Sequence, residues 1–247
     1  MSNSVKPSRS FQNAVGAPTK PVKLPRVPIQ PASPAAQVTD AYAVFKLCIS
    51  RANNLLKIHE AAHGKNQARP EAYLADAHRA AIVLAISALD AYVRTCCLER
   101  ILNFLYDQHN ELPPLLASEI KRLIKDDHLL EAARKHDLSA RVEKAFRQEF
   151  QRKSFQGVKN ITDCLQIAGF KDVFHEVAVS VSINEDNLKF ELTRFTERRH
   201  AIAHQGDYDL SQNPPIESGI RKKDAQDCIK LVNRIAAAIH ALSKAAV

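Results

Sequence analysis

The sequence predicts an all-α protein, a single helical bundle with a long central helix preceded by a proline-rich basic tail. Three observations carry that reading. Glycine is scarce, with 6 in 247 residues, too few for the tight turns of a many-stranded sandwich or barrel. Ala, Leu, Glu, Lys and Arg, which lose little on entering a helix, are plentiful. Apolar residues recur at spacings of three and four over long stretches.

The tail covers residues 1–38. It holds most of the 12 prolines, the cations Lys6, Arg9, Lys20, Lys23 and Arg26, and no acid before Asp40. Such a segment cannot bury enough apolar surface to offset its ordering entropy, so it is expected to be disordered. It serves either as an electrostatic arm toward RNA or a partner, or as a solvated leader.

The helical domain is expected over 39–247. Thr39-Asp40 are good N-cap residues, and Tyr42, Phe45, Cys48, Ile49, Ala52, Leu55 and Leu56 follow on one face. A second helix begins at Pro70-Glu71, with proline in its first turn, and runs to about Gln108. Its middle is apolar nearly all round, which marks the centre of a bundle. Leu112-Pro113-Pro114 breaks the chain. Shorter helices are expected at about 115–126, 128–136, 139–153, 158–168 and 171–180, then a longer one from about Asn184 to Ala203. Gly206, Pro214, Pro215 and Gly219 make 205–221 a loop. A last helix from about Lys222 to Ala245 ends the chain.

The net charge of +8 favours a polyanionic partner such as RNA. The five cysteines are odd in number, include no CxxC pair and lie in apolar stretches, so they read as reduced core residues. No secretory h-region and no bilayer-length apolar run is visible. The expectation is a soluble cytoplasmic protein with no membrane partner.

The chemistry concentrates in Arg198-Arg199-His200-Ala201-Ile202-Ala203-His204-Gln205-Gly206-Asp207. Arg199 shares an apolar stripe with Leu188, Leu192, Phe195 and Ile202, where a guanidinium is costly without a carboxylate. Asp90, alone among ionisable residues between Ala80 and Val93, has the converse need. Asp90 and Arg199 can satisfy each other; Arg94, one turn beyond Asp90, is the other candidate. His204 falls in the last turn before Gly206, where the helix dipole favours protonation. Arginine stabilises phosphoryl oxygens and histidine moves protons near neutrality. By local chemistry alone, however, an ordinary basic helix end explains the segment more simply. His200 and His204 can ligate one ion from one face, but no HExxH surrounds them, and neither a metal site nor a cofactor is expected.

These segments resemble the HEPN superfamily and, within it, the RiboL-PSP-type HEPN domains. The resemblance rests on Arg199 to His204 as the Arg-x4-His motif and on Ala80 to Tyr92 as the early core helix. Ser154-Phe155-Gln156 matches the middle region, and His204-Gln205-Gly206-Asp207 with Ile220 to Ala225 the closing segment. Many members carry Asn directly after the Arg; here it is His200, which can also bear charge. The resemblance implies a homodimer whose two motifs line one RNA cleft and cleave RNA without metal. His204 is then the proton-transfer residue and Arg199 the phosphate binder, with Asp90, His200, Arg198 and Asp207 in support. It further implies a toxin or antiphage-defence role, restrained by an antitoxin or other defence partner. The competing reading is a non-catalytic HEPN-type adaptor used for dimerisation or nucleic-acid binding. A module controlled by a separate nucleotidyltransferase is a third.

Overall fold

The computed structural model describes residues 40–63, 72–106, 111–125, 131, 134–135 and 137–245. The tail expected over 1–38 lies outside the described residues, and the helix expected at about 128–136 lies largely outside them. Among the described residues the helices are α1 (Ala41–His63), α2 (Ala72–Tyr106), α3 (Pro114–Leu123), α4 (Leu138–Arg152), α5 (Val158–Ile167), α6 (Val173–Ser180), α7 (Glu185–Gln205) and α8 (Lys222–Ala245). Between α7 and α8, β1 (Tyr208–Asp209) pairs antiparallel with β2 (Ile216–Glu217), in the register Tyr208 opposite Glu217.

The apolar spacing read along the chain is the spacing that is buried. Asp40 accepts a hydrogen bond from the Tyr42 amide at 3.0 Å, satisfying a donor at the start of α1. Ala41, Phe45, Ile49, Ala52 and Leu56 then face the core. Helix α2 buries Ala81, Ile82, Ala85, Ile86, Leu89, Tyr92, Val93, Cys97 and Ile101, which spread over roughly 200° of its circumference. That is why it occupies the centre, packed against α1, α4, α5, α7 and α8. It is also the one described helix whose length and apolarity would allow it to cross a membrane, and most of that stretch is buried by its neighbours. Tyr42 stacks on His240 at 4.2 Å and meets Tyr92 edge-on at 5.8 Å, joining α1, α2 and α8.

Helix α7 carries the motif. The Asn184 side chain accepts from the Asp186 and Asn187 amides at 2.9 and 3.2 Å, and Glu185 and Asp186 sit at the positive end of the dipole. Leu188, Leu192 and Phe195 are buried, and Ile202 packs on the core's margin. The helix stops at Gly206 in the left-handed conformation, φ 62°. Within 205–221, where the sequence predicts a loop, the chain forms β1 and β2. Each is two residues long and exposed on both faces, so no alternation marks it in the sequence.

The five cysteines are free thiols, four buried and Cys48 half-buried. Burial pushes Cys96 up to about 11, Cys228 up to about 12 and Cys97 well above the ordinary thiol value. A raised value keeps the sulfur protonated and unreactive at pH 8. With iodoacetamide at that pH, Cys48 is therefore modified in the folded protein, while Cys96, Cys97 and Cys228 react only on unfolding. Peptide mass spectrometry of the labelled protein checks the order.

Candidate functional site at the end of α7

Three arginines lie on the second half of α7, and the helix sorts them. Arg194 pairs with Glu191 at 2.6 Å, and its guanidinium carbon lies 4.1 Å from the Phe195 ring centroid. Arg198 donates to Asp207 at 2.7 Å and to the carbonyls of Ser218 and Gly219 at 3.1 and 3.0 Å. Arg199 has no hydrogen-bond or ion-pair partner among the described residues. It is half-buried, and its Nε is buried without an acceptor. A hundred degrees of helical rotation separates neighbours, so Arg198 turns toward an internal acid while Arg199 is left without one.

Asp90 does not meet Arg199, which corrects one of the two pairings the sequence allowed. Asp90 takes Arg94 at 3.2 Å, the Phe155 amide at 3.0 Å and the Gln156 side-chain amide at 3.0 Å. The nearer cation on its own helix, together with two donors from the 154–156 loop, fills the carboxylate. Gln156 is in turn tied to α7, because Thr196 donates to its carbonyl at 3.0 Å. Asp90 thus braces the loop that flanks α7 rather than the motif itself.

His200 and His204 are exposed on successive turns, with ring centroids 4.5 Å apart and planes tilted by 44°. They are the residues of this site able to hold a metal ion. Among the described residues, however, no group of three or more His, Cys, Asp or Glu comes together as a metal site, and two imidazoles leave a typical coordination shell half empty. Arg199 and His204, five residues apart, stand ~7.5 Å apart along the helix axis.

Asp207 is the site's most constrained residue. Its side chain has 0 % exposure, and its Oδ2 accepts from Arg79 Nε and from Arg198, each at 2.7 Å. Arg79 comes from α2 and was not singled out in the sequence. It also reaches Asp76 at 3.1 Å, Glu217 at 2.9 Å and the Ser218 carbonyl at 3.0 Å. Burial alone would lower the Arg79 pKa, but hydrogen bonds to Asp207 and Asp76 outweigh it and the value is raised, so the group stays charged. The signal for Arg79 was in the sequence: a cation at the edge of the apolar run beginning at Ala80 asks for a carboxylate, as Arg199 does. Behind the motif, Ile82, Phe195, Arg194, Arg198, Ile220 and Asp224 line a cleft of about 400 Å³. Arg199 and His204 are not among its lining residues.

The family model for RiboL-PSP-HEPN matches residues 47–244. This chain belongs to the RiboL-PSP-HEPN family. The match spans nearly all of the helical part, including α2, the Arg199-to-His204 motif and the β1–β2 segment. HEPN domains are helical, and they often are ribonucleases or nucleotide-binding modules. No curated protein and no solved structure matches the chain.

A residue kept for a ligand contributes little to the fold. Replacing Arg199 with Met removes a buried donor with no acceptor, and breaks no ion pair, among the described residues, so the Tm should equal or exceed that of the wild type. Asp90→Ala removes an acceptor of three hydrogen bonds and should cost about 2 kcal/mol, with a lower Tm. Parallel thermal melts decide the matter; an equal loss in Arg199→Met would mean that Arg199 carries a stabilising contact.

Proposed function

We propose that this protein is a metal-independent endoribonuclease acting through Arg199 and His204. The observation that carries the reading is Arg199, without a partner among the described residues, on the helix that also exposes His200 and His204 and whose other two nearby arginines are both satisfied. An arginine held against a bundle without an acid is suited to an external oxyanion, and a phosphodiester is the polyanion that a chain of net charge +8 attracts.

In the reaction, the 2′-hydroxyl of RNA loses its proton to the neutral imidazole of His204. The 2′-oxygen attacks the adjacent phosphorus while the bond from phosphorus to the 5′-oxygen breaks. A second imidazole, either His200 or the His204 of a second copy, protonates the departing 5′-oxygen. The products are a 2′,3′-cyclic phosphate and a 5′-hydroxyl, with no net gain or loss of protons. Arg199 holds the non-bridging oxygens, where charge builds up in the transition state. Both roles are met by side chains. In this reading two copies form one cleft, the setting is a cytoplasmic toxin or antiphage-defence system, and an antitoxin or defence partner restrains the enzyme.

Purified protein incubated with RNA in EDTA should release fragments with cyclic phosphate ends. Arg199→Ala and His204→Ala should each lower kcat by ~10²–10⁴-fold, the usual range for losing an acid–base or charge-stabilising group. A requirement for added divalent metal overturns the mechanism. Wild type and His204→Ala with the same effect on RNA, and on growth after induced expression, favour the non-catalytic adaptor.

A further inference from the structure

Asp207 is the only fully buried residue between Phe195 and Ala225. The last turns of α7, the β1–β2 hairpin and the approach to α8 therefore hang on a carboxylate rather than on an apolar side chain. We propose that Arg79 is a positioning residue, which acts through Asp207 to hold the last turn of α7 and, with it, Arg199 and His204. As a role in catalysis this rests on the endoribonuclease reading; as a mechanical role it stands apart from it.

The geometry supports a clamp with two jaws. Arg79 on the central helix and Arg198 on α7 grip the same oxygen, Oδ2 of Asp207. Both also grip the Ser218 carbonyl, at 3.0 and 3.1 Å, so the two ends of the hairpin are pinned at one point. The backbone completes the closure. The Asp207 amide donates to Ala201 O at 3.1 Å, the bond that ends the helix, and the Ser218 amide donates to Asp207 O at 2.8 Å. Asp207 itself adopts φ 67°, a left-handed conformation that side-chain-bearing residues rarely keep unless their surroundings over-determine it. His204 lies three residues before this clamp and is exposed, its ring in tilted contact with that of His200. Only Arg79 links this assembly to α2 by ion pairs among the described residues. Loss of the clamp leaves the RNA-facing groups in place chemically but not geometrically, and a displacement of about 1 Å in a reacting group costs ~100-fold in rate.

The test uses Asp207→Asn, which keeps the volume and one carbonyl acceptor, with Arg79→Met and Arg79→Lys. Two readouts are taken on the full chain. Amide hydrogen exchange should rise at least ~10-fold over residues 201–219 in Asp207→Asn and Arg79→Met, while α1 and the middle of α8 keep wild-type protection. In RNA cleavage, kcat should fall ~30- to 100-fold with KM within ~3-fold, and Arg79→Lys should recover most of the loss because it restores a cation beside Asp207. Exchange that is unchanged, or that rises equally across the whole bundle, overturns the positioning role. So does a defect confined to KM, or an Arg79→Lys variant no better than Arg79→Met. A wild-type protein that cuts no RNA sinks the endoribonuclease reading alone, and the exchange data then decide whether Arg79 holds the helix end.

Discussion

A carboxylate sealed from water keeps its charge only if cations and hydrogen bonds replace what hydration supplied. Asp207 meets that condition at one oxygen: Oδ2 takes two guanidiniums from two different helices, while Oδ1, also buried, has no hydrogen-bond partner among the described residues. The rest of the motif region follows from this constraint. The central helix supplies Arg79, α7 supplies Arg198, and the hairpin returns its backbone carbonyls to the same pair. Breaking one side of such an arrangement is far more damaging than never having built it, because the remaining charges stay buried without compensation. The polar cluster does little that an apolar plug could not do for bulk stability. What it adds is direction: hydrogen bonds at 2.7 Å fix orientation, whereas apolar contact tolerates sliding.

The same helix shows how one residue type is put to different uses by rotation. Arg194 lies along an aromatic ring, Arg198 turns into the clamp, and Arg199 keeps a buried Nε with no acceptor among the described residues. Glu191 and Asp207 pair with the first two, and elsewhere Asp90, Glu119 and Asp137 pair with Arg94, Arg122 and Arg141. An unsatisfied donor half-buried against a core is a cost to the fold, and such costs concentrate where binding or catalysis needs them. The family match spans residues 47–244 as a whole, and the local imbalance concerns one nitrogen, Arg199 Nε.

Much of this was legible in the sequence because helices declare themselves through local spacing. The buried faces of α1, α2 and α7 follow the three-and-four rhythm closely, and Gly206 marks the end of α7 as its freedom to adopt positive φ requires. The motif could be read for the same reason: Arg199 and His204 lie within one short stretch. What could not be read was pairing at a distance. Asp90 had two plausible cations, and the choice of Arg94 depended on the 154–156 loop delivering two further donors, which no local pattern reveals. Asp207 enters the sequence reading only as a supporting residue that the resemblance implies, because its pairing with Arg79 of α2 leaves no local pattern. The hairpin stayed hidden because its strands are two residues long and exposed.

The separation of 128 positions between Arg79 and Asp207 has a consequence for the order in which the molecule is made. Contacts between distant parts of a chain close late, after the loops between them have been gathered in. During translation α2 emerges early, yet the end of α7 has nothing to fasten it until the stretch through Gly219 has also left the ribosome. The arginine and histidines of α7 are themselves made late, and fifteen residues separate His204 from Gly219, so their helix end stays unfastened only for the short interval in which that stretch is added.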